Sequence, residues 1–197
     1  MKTGYSKVVC IVDRSGSMNS VRTDSIGGFN AFLEAQKKVV GEADLTLVLF
    51  DHEYLVVYDS VPLKDVPPLN SENYVPRGST ALLDAIGKAV TSTGAELSAM
   101  DEAERPESVI VAILTDGYEN ASTEYTRERI SEMTKHQQEK YGWEFRYLGA
   151  NQDAIKVGGS FGFKAKDCVT YASTGIGTRE AYLSMSDSVT RCRTKSA

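Results

Sequence analysis

Asp13, Ser15 and Ser17 alternate directly after an unbroken apolar run, Val8-Val9-Cys10-Ile11-Val12. Such a run reads as a strand buried on both faces of a parallel sheet. One carboxylate and two hydroxyls therefore sit just past a strand's carboxyl end. In an extended chain, residues two apart project to the same side about 6.6 Å from each other, too far to share one small ion. The segment must curl, and Gly16 is expected to permit this by adopting a positive φ. Three hard oxygen donors brought to one point suit a divalent cation of the Mg²⁺ type, and Mn²⁺ or Ca²⁺ accept the same donors. A donor set without His or Cys speaks against zinc.

Two further segments extend the pattern. Arg77-Gly78-Ser79-Thr80 precedes a helical run and offers the Thr80 hydroxyl. A second buried run, Val109 to Leu114, is followed at once by Thr115-Asp116-Gly117. The set Asp13, Ser15, Ser17, Thr80 and Asp116 resembles the metal-ion-dependent adhesion site (MIDAS) of the von Willebrand factor A family. That motif reads D-x-S-x-S, then a distant Thr, then a distant Asp. The resemblance covers essentially the whole chain and implies that Ser15, Ser17 and Thr80 bind the ion directly in some states. It implies that Asp13 and Asp116 act partly through water, and that the open coordination position takes an Asp or Glu of a protein partner. A carboxylate from a second copy would make self-association metal-bridged. Met18, Ser79, Tyr118, Glu119, Asn120, Asn151 and Gln152 follow strand ends or site loops and are expected to form the partner-binding rim.

The elements that must position these groups alternate. Strands are expected over 7–12, 45–50, 54–58, 109–114, 143–148 and 168–171. Helices are expected over about 25–40, 81–100, 122–140 and 178–193, with a short one after Gln152. The first helix carries Ile26, Phe29, Phe32, Leu33, Val39 and Val40 as its apolar stripe. Asp51-His52-Glu53 is too short to join parallel neighbours, so strands two and three form an antiparallel hairpin at the sheet edge. The rest implies right-handed βαβ crossovers. The expected fold is α/β: a Rossmann-like doubly wound sheet, mostly parallel with one antiparallel edge strand and helices on both faces, in a single domain over 1–197.

Composition narrows the function. A hydrophobic content of 41% and a charged content of 25% are those of a globular chain. A net charge of −5 disfavours a broad nucleic-acid surface. No apolar stretch approaches the roughly 20 residues that span a bilayer, so no membrane role is expected. The absence of a recognisable leader, and three cysteines at unrelated positions, lead to an expected cytoplasmic setting, as for small stand-alone family members of bacteria and bacteriophages. Two rival readings compete with metal-dependent protein binding. One is a metal-assisted hydrolase or phosphotransferase using Asp13, with Arg14 as its cation. It lacks a marked general base, because His52 falls in the hairpin turn, away from the motif, and His136 on a polar helix. The other is a metal-independent interaction module using the Pro-containing loop 61–78 or the basic end of the last helix, Arg191 to Lys195. The expected protein is not an enzyme.

Overall fold

The apolar run that opens the chain lies at the centre of the sheet. The computed structural model describes residues 1–195. Strand β1 (Lys2–Asp13) pairs in parallel with β2 (Glu42–Phe50) on one side and β4 (Pro106–Thr115) on the other. Val8 to Val12 are buried throughout, which is why the run shows no polar alternation. The hairpin strand β3 (Tyr54–Pro62) is antiparallel to β2 and forms one edge. Strands β5 (Glu144–Ala150) and β6 (Cys168–Tyr171) extend the parallel side, giving the order β3-β2-β1-β4-β5-β6. The fold is thus the mostly parallel, doubly wound α/β sheet with one antiparallel edge pair.

Helices α1 (Arg22–Lys37) and α5 (Gly175–Arg193) cover one face. Phe29, Phe32 and Leu33 of α1 and Ala181, Tyr182, Met185 and Val189 of α5 pack there with Val8, Cys10 and Val12. Helices α2 (Leu82–Ala99), α3 (Arg127–Tyr141) and α4 (Ala154–Ser160) cover the other. Leu82, Ile86 and Val90 of α2, Ile130 of α3 and Ala154 of α4 pack there with Val9 and Ile11. Alternate residues of β1 thereby feed two separate cores.

Several boundaries differ from expectation for local reasons. Helix α1 starts earlier, after a 3-10 turn over Gly16–Val21, and ends at Lys37. Val39 and Val40 therefore lie past it, and Val40 is 81% exposed instead of belonging to the apolar stripe. Helix α3 begins at Arg127, not near Ser122. The amides of Thr123, Glu124 and Tyr125 donate to the Asp84 carboxylate, and that of Ser122 to Glu119, so the chain is held as a loop until Thr126 caps the helix. Strand β3 runs on to Pro62 through two register shifts against β2, so the crossing loop starts later than residue 61.

Because β1 is continued to β2 and β4 to β5, the chain diverges on either side of the β1–β4 pair. Val12 lies opposite Leu114 in register, which sets Asp13 and Asp116 at neighbouring carboxyl ends. Ligand crevices in open α/β sheets form at such a switch point.

Candidate metal centre

Asp13 is the last residue of β1 and is fully buried. Its Oδ1 accepts the Ser15 amide at 2.6 Å, and its Oδ2 accepts the Thr115 hydroxyl at 2.6 Å. Its main-chain carbonyl accepts the Tyr74 hydroxyl at 2.7 Å. The Ser15 and Ser17 hydroxyls lie 3.1 Å apart, and Ser17 Oγ donates to Asp116 Oδ1 at 2.5 Å. The other Asp116 oxygen accepts Ser173 Oγ at 3.2 Å. Thr80 closes the set: a Cβ on Gly117 would lie 2.9 Å from Thr80 Oγ1 and 3.7 Å from Asp13 Oδ2. Thr80 and Asp13 therefore border one small space. All five expected groups, carried by three loops, meet at the switch point.

The curl after β1 is made differently from expectation. Gly16 is absent from the positive-φ glycines, and the 3-10 turn beginning there bends the chain. The Gly16 amide donates to the Gly78 carbonyl at 3.1 Å, and a Cβ on Gly16 would meet that same oxygen at 3.3 Å. Lack of a side chain serves close approach of two loops here, not backbone handedness. The Thr80 segment is also bracketed by Asn120, whose Oδ1 accepts the Thr80 amide at 2.9 Å while its own amide donates to the Thr80 carbonyl at 3.0 Å.

The electrostatics are those of a buried acidic group. Burial pushes the Asp13 carboxyl up to about 6, the nearby Asp116 charge adds to this, and hydrogen bonds from Thr115 and Ser15 oppose it. Arg14, the adjacent cation, lies with its guanidinium against Asp51 and Glu53. Among the described residues, no group of three or more His, Cys, Asp or Glu is placed to hold a metal ion. The five side chains that meet here are two carboxylates and three hydroxyls, an all-oxygen set of the kind hard dications take.

The rim is only partly as expected. Ser79, Tyr118, Asn120 and Asn151 are exposed, and the Tyr118 hydroxyl reaches the Asn151 carbonyl at 3.4 Å. Met18 is not on the rim: it is wholly buried in the α1–α5 core, because the 3-10 turn points it inward. Gln152 is 5% exposed beneath its loop, close against Gly149. Glu119 is half-buried, and its carboxylate holds the amides of Leu83, Ala121 and Ser122. His52 also departs from expectation: its ring lies against Gly78, two residues from Thr80. Thr115, Ser173 and Tyr74 belong to the site and were missed. Thr115 directly precedes Asp116 at a strand end, a usable signal, whereas Ser173 and Tyr74 come from remote loops with no local mark.

No family model matches the sequence, and no curated protein matches it. Solved structures do match. Proximal thread matrix protein 1 of the mussel byssus, in a structure described as having a zinc-occupied MIDAS motif, is 16% identical with a TM-score of 0.64 over 95% of this chain and 46% of that one. The von Willebrand factor domain of the type V pili tip protein of Porphyromonas gingivalis is 11% identical with a TM-score of 0.65, covering 100% of this chain and 99% of that one. An ArnB paralog of Sulfolobus acidocaldarius is 17% identical with a TM-score of 0.56 over 94% and 45%. The chain thus spans somewhat under half the length of the mussel and archaeal proteins. It has the von Willebrand factor A fold.

Proposed function

We propose that this chain is a metal-dependent protein-binding module. Asp13, Ser15, Ser17, Thr80 and Asp116 hold a divalent cation, Mg²⁺ or Mn²⁺ by preference and Ca²⁺ as a further candidate, and an Asp or Glu side chain of a partner protein completes its coordination. The observation that carries this reading is the meeting of these five oxygen-bearing side chains at the β1–β4 switch point, with the buried Asp13 carboxylate pushed up to about 6. When bound, the cation supplies a Lewis-acidic position for an outside carboxylate.

The chain's own residues set the strength of that attraction. The three hydroxyls are neutral donors and leave the dication's charge largely in place. Each oxygen of Asp116 is engaged by a hydroxyl, of Ser17 and of Ser173, and both oxygens of Asp13 accept hydrogen bonds. Such engaged carboxylates orient the hydroxyls more than they neutralise the ion. Ser79, Tyr118, Asn120 and Asn151 are exposed at this end of the sheet and are the contact surface we assign to the partner.

The module binds and does not catalyse. Supporting this, Arg14, the cation that an aspartyl-phosphate route through Asp13 would use, lies against Asp51 and Glu53. Against a metal-independent surface at the end of α5, the Arg193 guanidinium is buried and donates to the Gln36 carbonyl at 2.7 Å. The single domain over 1–197 works in a reducing cytoplasm, a setting supported by three free, buried thiols at Cys10, Cys168 and Cys192. Among the described residues, no helix is long and apolar enough to cross a membrane.

Calorimetric titration of Mg²⁺ and Mn²⁺ into metal-free protein tests the site: heat is expected for wild type and none for Asp13→Ala. Affinity capture with Mg²⁺ or with EDTA, followed by mass spectrometry, tests the partner. A partner retained equally in EDTA and by Asp13→Ala sinks the reading. Light scattering with and without Mg²⁺ reads any bridging of two copies.

A further inference from the structure

A second group of charges lies beside the site, in the hairpin turn between β2 and β3. Asp51 carries a wholly buried carboxylate. Its Oδ2 lies 3.1 Å from Arg77 Nε and 3.1 Å from Arg14 Nε; the first is a hydrogen bond and the second an ion contact without hydrogen-bond alignment. Its Oδ1 accepts the Glu53 amide at 2.6 Å, and Glu53 also pairs with Arg77. The Asp51 main-chain carbonyl accepts the Ala81 amide at 2.8 Å. The Arg77 amide, in turn, donates to the Arg14 carbonyl at 2.8 Å.

These contacts have one geometrical consequence. Asp51 grips the Thr80 segment on both sides, by its side chain at Arg77 and by its backbone at Ala81. It also touches Arg14, inside the D-x-S-x-S turn. Between the two grips lies Gly78, at φ +66°, with its α-carbon facing the His52 ring so closely that a Cβ would collide with it. One buried carboxylate thus ties three loops together: the Asp13 turn, the β2–β3 turn and the Thr80 segment.

We infer that Asp51 is a positioning residue of the metal centre, acting through Arg77 to hold the Thr80 hydroxyl at the site. This rests on the metal reading proposed above. The carboxylate is not one of the five motif positions, and it contacts Arg14, inside the D-x-S-x-S turn, and Arg77, three residues before Thr80. Groups that orient metal ligands in this way typically change affinity about 10–100-fold when lost.

The test combines a metal-free readout with a metal titration. In EDTA, amide hydrogen exchange at Thr80 and Ala81 is expected to be at least about tenfold faster in Asp51→Asn than in wild type, with Val111 and Ile113 of β4 unchanged. Mn²⁺ affinity by calorimetry is expected to fall about 10–100-fold in Asp51→Asn. Adding Asp51→Asn to Thr80→Ala should cost little more, because the first acts through the second. Should Asp51→Asn fail to fold, Arg77→Gln removes the tether at a half-exposed residue while leaving Arg14 against Asp51, and Arg77→Lys should restore part of the loss. Unchanged exchange at Thr80 and Ala81, or losses that multiply in the double variant, would overturn the positioning role. Absence of heat with wild type overturns the metal reading itself, whereas normal heat with unchanged affinity in Asp51→Asn overturns only the positioning role.

Discussion

Acidifying the metal-free protein should stabilise it through Asp13. The carboxyl is fully buried and moves from an ordinary value of 3.8 to about 6 in the fold. A carboxyl whose folded value is raised binds more protons folded than unfolded between those two values, so its contribution to stability falls as pH rises through that window. At about 1.4 kcal/mol per unit, the two-unit difference amounts to about 3 kcal/mol between full protonation and pH 7. About 1 kcal/mol of this falls between pH 5 and pH 7. Glu144 works in the opposite sense: with its carboxyl held down to about 2 by Lys195, Cys192 and Arg146 despite partial burial, its contribution is lost only as pH falls below the ordinary glutamate range. The window from pH 5 to 7 therefore reports mainly on Asp13. Urea unfolding in EDTA at several pH values, for wild type and Asp13→Asn, separates this group from the rest. The wild type should lose about 1 kcal/mol relative to Asp13→Asn on going from pH 5 to 7. Millimolar Mg²⁺ should reverse the trend, because the dication competes with the proton and binds only the folded chain. Parallel stability curves for the two proteins in EDTA would refute the reasoning.

Four substitutions read other parts of the structure. Gly117→Ala places a Cβ 2.9 Å from Thr80 Oγ1, so Mn²⁺ affinity by calorimetry should fall about tenfold with little change in melting temperature. Tyr74→Phe strips the buried Asp13 carbonyl of its 2.7 Å hydrogen bond and should cost about 1–3 kcal/mol in urea unfolding. Gly28 and Gly27, adjacent on α1, should respond with opposite signs in the same assay. A Cβ on Gly28 collides with the Tyr182 ring of α5, and overpacking of this kind costs about 1–3 kcal/mol, whereas Gly27 faces open space and gains about 0.5–1 kcal/mol as alanine.

The strand ends that carry Asp13 and Asp116 were legible because a strand buried on both faces must be apolar at every position, so its last residue announces itself. The hairpin at Asp51-His52-Glu53 was legible because three residues cannot cross a sheet. Thr80 was marked only by the resemblance, since a hydroxyl before a helix is common in any sequence. Other features were out of reach. Met18 follows the motif like a rim residue, but the 3-10 turn directs it into the core. Ser173 reaches Asp116 from 57 residues away, and Asp51 reaches Arg77 from 26. Such partnerships depend on which strands lie side by side and how far each loop leans. Those are outcomes of packing the whole sheet and both helical layers, whereas the apolar runs and short turns record constraints that act within a few residues. The amino-acid order thus determined the strands and the carboxylates at two of their carboxyl ends. The tertiary structure decided which hydroxyls, amides and buried charges would hold them there, because contacts between distant segments are chosen by global packing and not by local preference.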